Sequence, residues 1–491
     1  MSRMLKFAMA AVIALVSGSA QAQVTGKTVL GTNANSWGSV SSSYNNAQVS
    51  AATGTFHAGG VAACDGCHVM HNASNGVARS TKVAPWTDAV PAFLLQGSDQ
   101  SSTCLLCHGD SVNAGGTANP YVIANTGAIL GSTWMNYSPG GDFGWLKIDF
   151  VGSAKDRHGH NVAALDFSLA GDGLMKVAPG GTYTPATSGV GQFACSSCHD
   201  PHGRYRMQTT TVGAWAWAGP VVGSGVIAID QPIYSSGSYG NVPKADAAVG
   251  SYRLLAGRGY VPASNIASPN PFPNNPPLAI APVGYNKAEG GTGPLSHTNE
   301  VRVAYGSGMS EWCQNCHTNI HLDNYVSGAM GASGLRHPAG NGAVLKPGQY
   351  DVYNKYISSG KFNGTPDGTL YTSLVPFENT KKLTYNGNTG TTADIDKLAA
   401  ASQGNNTNGI FVASGESNVM CLSCHRAHAS AFNSAVRWNA DDTFVTNAGT
   451  TLYPDTQNRG PNLMQAGYYG RLPSDFGVYQ RSLCNKCHGK D

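Results

Sequence analysis

Apolar positions along this chain form no long regular pattern, with one exception near the start. Residues 7–16 are an unbroken apolar run, preceded by Met1-Ser2-Arg3-Met4-Leu5-Lys6 and followed by Ser17-Gly18-Ser19-Ala20-Gln21-Ala22. A basic start, a short apolar core and an Ala-Gln-Ala end predict a secretory signal peptide over residues 1–22. The run is too short to cross a bilayer, and no later stretch is long and apolar enough to do so. Beyond it, neither a 3.6-residue nor a two-residue repeat persists over long windows. Short helices are expected around the cysteine motifs described below and at residues 394–401 (Asp-Ile-Asp-Lys-Leu-Ala-Ala-Ala). Turn signals lie between them: Pro139-Gly140-Gly141, Pro179-Gly180-Gly181, Asn270-Pro271, Asn274-Asn275-Pro276-Pro277 and Asn386-Gly387. The pattern predicts a mostly irregular fold with short helices and few strands.

Composition deepens that expectation. Charged residues make up 12% of the 491 and glycine supplies 62 of them, an unusual balance for a globular domain. Such a chain has little apolar side-chain area of its own to bury, so something else is expected to fill its centre. Residues 23–55 are rich in Ser, Asn, Thr, Ala and Gly and read as a low-complexity N-terminal extension. Residues 56–491 show no shift of composition that divides them and read as a single domain. A net charge of +3 without a basic cluster gives no sign of a nucleic-acid partner.

The cysteines supply the missing core. All twelve lie in six Cys-x-x-Cys-His motifs: Cys64/Cys67/His68, Cys104/Cys107/His108, Cys195/Cys198/His199, Cys313/Cys316/His317, Cys421/Cys424/His425 and Cys484/Cys487/His488. This is the attachment signature of c-type haem: two thioethers hold the porphyrin and the histidine takes one face of the iron. A disulfide framework suits an exported protein but does not explain a histidine after every pair. Structural zinc needs four ligands at short spacing, whereas successive motifs are about 40 to 120 residues apart. Six covalent c-type haems are therefore expected, each bringing a broad apolar surface around which loops can pack.

The second axial ligand decides haem chemistry. Nine histidines remain outside the motifs. His71, His202 and His428 follow a motif histidine by three residues and His321 by four, one helical turn along on the same face. From there none can reach the far side of its own haem, because the porphyrin lies between, but each can reach the iron of a neighbour. His57, His160 and His337 are the further candidates; His158 and His297 are disfavoured, since seven candidates already face six irons. Met70, Met309 and Met420 lie near motifs but are better suited to packing. Enough histidines to close every iron, and the absence of a Cys-x-x-Cys-Lys motif, favour low-spin bis-histidine haems and an electron carrier over an enzyme. A multihaem terminal reductase is the alternative, and it requires an open iron.

Several longer stretches carry a resemblance. They are residues 56–62 (FHAGGVA) with 68–72 (HVMHN), 139–145 (PGGDFGW), 195–204 (CSSCHDPHGR), 302–316 (RVAYGSGMSEWCQNC), 335–342 (LRHPAGNG), 421–429 (CLSCHRAHA), 468–471 (YYGR) and 483–491 (LCNKCHGKD). In these the chain resembles the extracellular, filament-forming hexahaem c-type cytochromes of metal-reducing bacteria, over residues 56–491 and in the order of all six motifs. The resemblance implies a loop-rich fold organised around one stacked haem chain. It implies head-to-tail polymerisation into a conductive filament that passes electrons between other cytochromes and extracellular acceptors. It further implies that His71 ligates a haem of the next subunit, the receiving haem being the fifth, at Cys421/Cys424/His425. The departure is the 23–55 extension, because that family starts close to Phe56 after processing. A monomeric periplasmic or surface shuttle is the alternative to a filament.

Overall fold

Glycine- and asparagine-rich connections between short motif-bearing elements are what the computed structural model shows. It describes most of residues 94–109, 140–201, 255–281, 304–320, 337–359, 375–379, 414–446 and 452–488, together with shorter pieces at 67–68, 73–78, 122–123, 205–220, 233–238 and 248–250. The 394–401 helix, the signal peptide and the 23–55 extension lie outside the described residues.

Among the described residues the helices are α1 (Gln100–His108), α2 (Met309–Cys313), α3 (Pro347–Ser359), α4 (Cys421–Cys424) and α5 (Pro461–Gly467). Three of them carry haem motifs, as the sequence predicts. α1 holds the whole second motif, α2 ends on the first cysteine of the fourth, and α4 spans the fifth. The third and sixth motifs begin in single 3-10 turns, Cys195–Ser197 and Leu483–Lys486. α1 starts where it does because Asp99 caps it: the carboxylate accepts from Ser102 N at 2.8 Å and from the Ser102 hydroxyl at 2.8 Å. Such a cap stabilises a helix by about 1 kcal/mol. The same carboxylate accepts from Leu165 N at 2.7 Å, tying the second motif to a segment 66 residues away.

Strands are short. β1 (Ala73–Ser74) pairs antiparallel with β2 (Val77–Ala78). A second sheet has the order β4-β3-β7-β5, made of Ala214–Pro220, Tyr205–Thr211, Ala248–Gly250 and Ile233–Tyr234. A third, β11-β10-β9-β8-β6, joins Ser417–Asn418, Glu378–Asn379, Ala304–Tyr305, Ala279–Ala281 and Gly237–Ser238. In it β9 runs directly into α2 and β11 into α4, so this sheet sets the fourth and fifth motifs side by side.

Side chains bury more apolar surface than the composition suggests. One contiguous core unites Phe143, Trp145 and Leu146 with Phe432, Tyr453, Met464, Tyr468 and Phe476. Tyr453 and Tyr468 stack at 4.3 Å, and Phe432 and Phe476 pack on Tyr468 at 5.2 and 5.8 Å. Aromatic pairs of this kind add about 0.5–1.5 kcal/mol each beyond area burial. Met309 and Met420 are buried in a second cluster with Tyr305, Leu255 and Leu422, which is a packing role.

Candidate haem-ligating site

Glycine decides how closely the chain can approach the fourth motif and the histidine that follows the fifth. Residues 427–430, just after the fifth motif, run between two glycine-containing segments, with Ala429 bridged to Gly141 on one side and to Gly159 on the other. A Cβ on Gly140 would stand 2.7 Å from His428 Nδ1, and one on Gly159 would stand 2.2 Å from the His428 carbonyl oxygen. Gly141 also has φ +93°, a left-handed conformation that glycine alone adopts cheaply. The 179–181 turn does the same for the fourth motif: a Cβ on Gly181 would overlap the Cys316 carbonyl oxygen.

The consequence is a set of facing imidazoles. The rings of His199 and His428 lie 6.4 Å apart between centroids, those of His317 and His160 6.1 Å, and those of His488 and His337 5.9 Å. Two metal–imidazole bonds of about 2 Å each, with a ring radius at either end, put trans imidazoles about 6 Å apart. The three pairs therefore match the span of an iron with a planar macrocycle between them. In each pair one histidine belongs to a motif and the other to the candidate ligand set.

Hydrogen bonds orient these rings. Nδ1 of His317 meets the Pro179 carbonyl at 2.8 Å, His425 the Ser434 carbonyl at 2.8 Å, His160 the Ala427 carbonyl at 2.6 Å and His337 the Pro338 carbonyl at 2.9 Å. His428 Nδ1 lies 3.3 Å from the Gly141 carbonyl. An Nδ1–H donated to a carbonyl leaves the Nε2 lone pair for a metal and fixes the ring plane. Protein atoms crowding His160, and then the neighbouring His317, lower its pKa, although the residue remains exposed. His158 differs. It is fully buried, its Nδ1 meets the Ser430 carbonyl at 3.0 Å, and its ring tilts against Phe150 at 5.4 Å.

The motifs follow one another in space as they do in sequence. Cys67 accepts from Gln96 N at 2.8 Å through its carbonyl, bringing the first motif to the approach of the second. The Cys104 and Cys195 thiols are within hydrogen-bonding reach, as are those of Cys313 and Cys421. Cys198 lies by Cys316, and Cys424 by Cys484 and Cys487. The ten described cysteine side chains form no disulfide, and among the described residues no group of three or more His, Cys, Asp or Glu stands close enough to hold a bare metal ion.

Serines that sequence reasoning missed build these junctions. Ser101 Oγ accepts from Cys195 N at 3.1 Å, and Ser310 Oγ accepts from Cys421 N at 3.1 Å. Ser197 Oγ accepts from Ala194 N, and Ser423 Oγ from Met420 N, each at 3.0 Å. The signal was present: a serine three residues before the first cysteine of motifs two and four, and a serine before the second cysteine of motifs three and five. Of the predicted residues, Cys64, His57, His71, His202 and His321 lie outside the described ones, as do the side chain of Cys107 and the disfavoured His297.

No protein-family model matches the chain. It is 41% identical over 454 residues to the C-type cytochrome OmcS of Geobacter sulfurreducens, covering 89% of this chain and 94% of that protein. Among solved structures it is similar to the OmcS nanowires of Geobacter sulfurreducens seen by cryo-electron microscopy. There the TM-score is 0.67 and the identity 39%, over 89% of this chain and all of that one. A second structure, of the outer membrane cytochrome S filament from the same organism, gives a TM-score of 0.65 at 37% identity with the same coverage.

Proposed function

Because the chain belongs to the OmcS family of multihaem c-type cytochromes, we propose that it carries electrons outside the cell along six covalently bound, bis-histidine haems, as the repeating unit of a filament. The observation that carries this reading is the facing of His199 with His428 and of His317 with His160. A histidine following the fifth motif reaches the third, and one from the loop beneath it reaches the fourth. The fifth motif would thus be both a haem site and, through His428, part of the third haem's pocket. Six haems with two axial imidazoles each would supply low-potential one-electron exchange without ligand gain or loss.

The residues of this chain do the positioning. The cysteines fix each porphyrin edge and the glycine turns let His428 and His317 approach. Carbonyls of Pro179, Gly141, Ala427, Ser434 and Pro338 orient the imidazoles. Cys64 and His68 complete the first site and Cys107 and His108 the second, and two of His57, His202 and His321 close their distal positions in this reading. His71 serves the fifth haem of the next subunit. Each subunit gives one distal ligand and receives one, so six of the seven candidate histidines close the six irons and one is spare. Residues 1–22 are removed on export, and the 23–55 extension would cover the subunit junction, decorate the filament surface or interfere with assembly. Among the described residues no helix is long and apolar enough to cross a membrane.

The test is to image the protein released from the cell surface, alongside His71→Ala. The native protein is expected to form filaments. The variant is expected to keep its covalent haems but to sediment as single subunits. Intact filaments from the variant would remove the trans-ligation step, and a native protein that stays monomeric would leave a soluble shuttle.

A further inference from the structure

Between the fourth and fifth motifs the third sheet buries an acid. Glu378 in β10 is 0% exposed, and its Oε2 accepts from Gly308 N at 3.1 Å and Met309 N at 3.2 Å, at the start of α2. Its register neighbours are Asn418 on β11 and Tyr305 on β9. Directly opposite residues of a sheet put their Cβ atoms about 5 Å apart on one face. Asn418 is 2% exposed and Ser307, next to Gly308, is 1% exposed. Glu378 Oε1, Asn418 Oδ1 and Ser307 Oγ each have no hydrogen-bond partner within the protein. Leaving such a group unsatisfied costs about 1–3 kcal/mol, and more for a charge. Burial, then the carboxylate of Glu311 on α2, drives the proton affinity of Glu378 up. Two carboxylates and two neutral oxygens therefore gather in a dry place.

We propose that Glu378, Glu311, Asn418 and Ser307 bind one calcium ion that ties the fourth haem-attachment segment to the fifth. The donors are all oxygen, with no sulfur or imidazole, and hard cations prefer that set to transition metals. Two carboxylates balance a divalent charge. Calcium is favoured over magnesium because an ion here must shed most of its water, which magnesium resists, and because the donors come from two strands, a loop and a helix rather than from a strict octahedron. The ion sits where β9 leads into α2, with Cys313, and β11 leads into α4, with Cys421. It reinforces the junction that the Ser310–Cys421 hydrogen bond makes on its own. The site does not depend on the filament reading.

The test is metal analysis of the haem-loaded full chain, stripped with a chelating resin, re-equilibrated with Ca2+ or Mg2+ and desalted. One Ca2+ per chain is expected to be retained. It should be lost in Glu378→Gln at unchanged covalent haem content, and equal Mg2+ should not replace it. Ser307→Ala removes a neutral donor and serves if Glu378→Gln does not mature; it is expected to weaken Ca2+ binding about tenfold. No stoichiometric Ca2+ in the native protein would overturn the proposal. So would the same Ca2+ content in Glu378→Gln, or an infrared carboxylic-acid band in the Ca2+-equilibrated native protein that Glu378→Gln abolishes. The last result would mean that the buried acid holds a proton instead.

Discussion

His428 illustrates what one residue does here. Its imidazole faces His199, its Nδ1 lies near the Gly141 carbonyl, and Phe143 stacks on it at 4.6 Å. Gly140 leaves the room for that ring. In Gly140→Ala the new methyl would lie 2.7 Å from His428 Nδ1, closer than carbon and nitrogen tolerate, and the neighbouring left-handed Gly141 cannot turn the chain away. The variant is expected to keep all covalent haems while about one iron in six becomes high-spin, as His428→Ala should also do. Visible and EPR spectra of the oxidised protein check this. An unchanged low-spin spectrum in both variants would mean that His428 is not a ligand. The motif histidines were legible because a five-residue signature is local. His428 was marked by its offset as unable to reach its own haem, and the structure places it beside His199; its ligation is what these variants test. Gly140 read only as a turn former, because nothing local says that a ring from a segment nearly three hundred residues later will lie on it.

At the scale of elements, the helices are short because capping and motif chemistry, not periodicity, define them. Asp99 accepts five hydrogen bonds: its carboxylate from Ser102 N, the Ser102 hydroxyl and Leu165 N, and its carbonyl from Thr103 N and the Thr103 hydroxyl. Asp99→Ala is expected to cost about 1 kcal/mol and to lower the thermal midpoint. Asp99→Asn should cost much less, since asparagine caps as well as aspartate does and burial already raises the Asp99 pKa. Equal losses in the two variants, measured by circular dichroism, would show that charge rather than capping matters. The sequence pattern indicated helices at the motifs but not which would be α and which 3-10. That choice rests on contacts such as Ser101 with Cys195 and Ser310 with Cys421, which span 94 and 111 residues. The aromatic core around Tyr468 was hidden for the same reason. Tyr453, Phe476 and Phe432 sit at irregular spacings, and only the folded chain stacks them.

The molecule as a whole is a scaffold in which sequence order and spatial order of the motifs agree. Cysteines of successive motifs interact from the second motif to the sixth, the order that a single haem path would require. Low charge and abundant glycine suit that task. Loops that wrap haem faces need freedom of approach more than they need helices, and covalent anchors add to the side-chain core around Tyr468. Similarity to filament structures covers 89% of the chain. The central claim is that every iron on this path is closed by two histidines. Spin-quantified EPR of the fully oxidised native protein, normalised to covalent haem per chain, tests it most directly. Six low-spin ferric centres per chain and no high-spin signal are expected. Fewer than six haems, or a high-spin centre amounting to a whole haem, would contradict it.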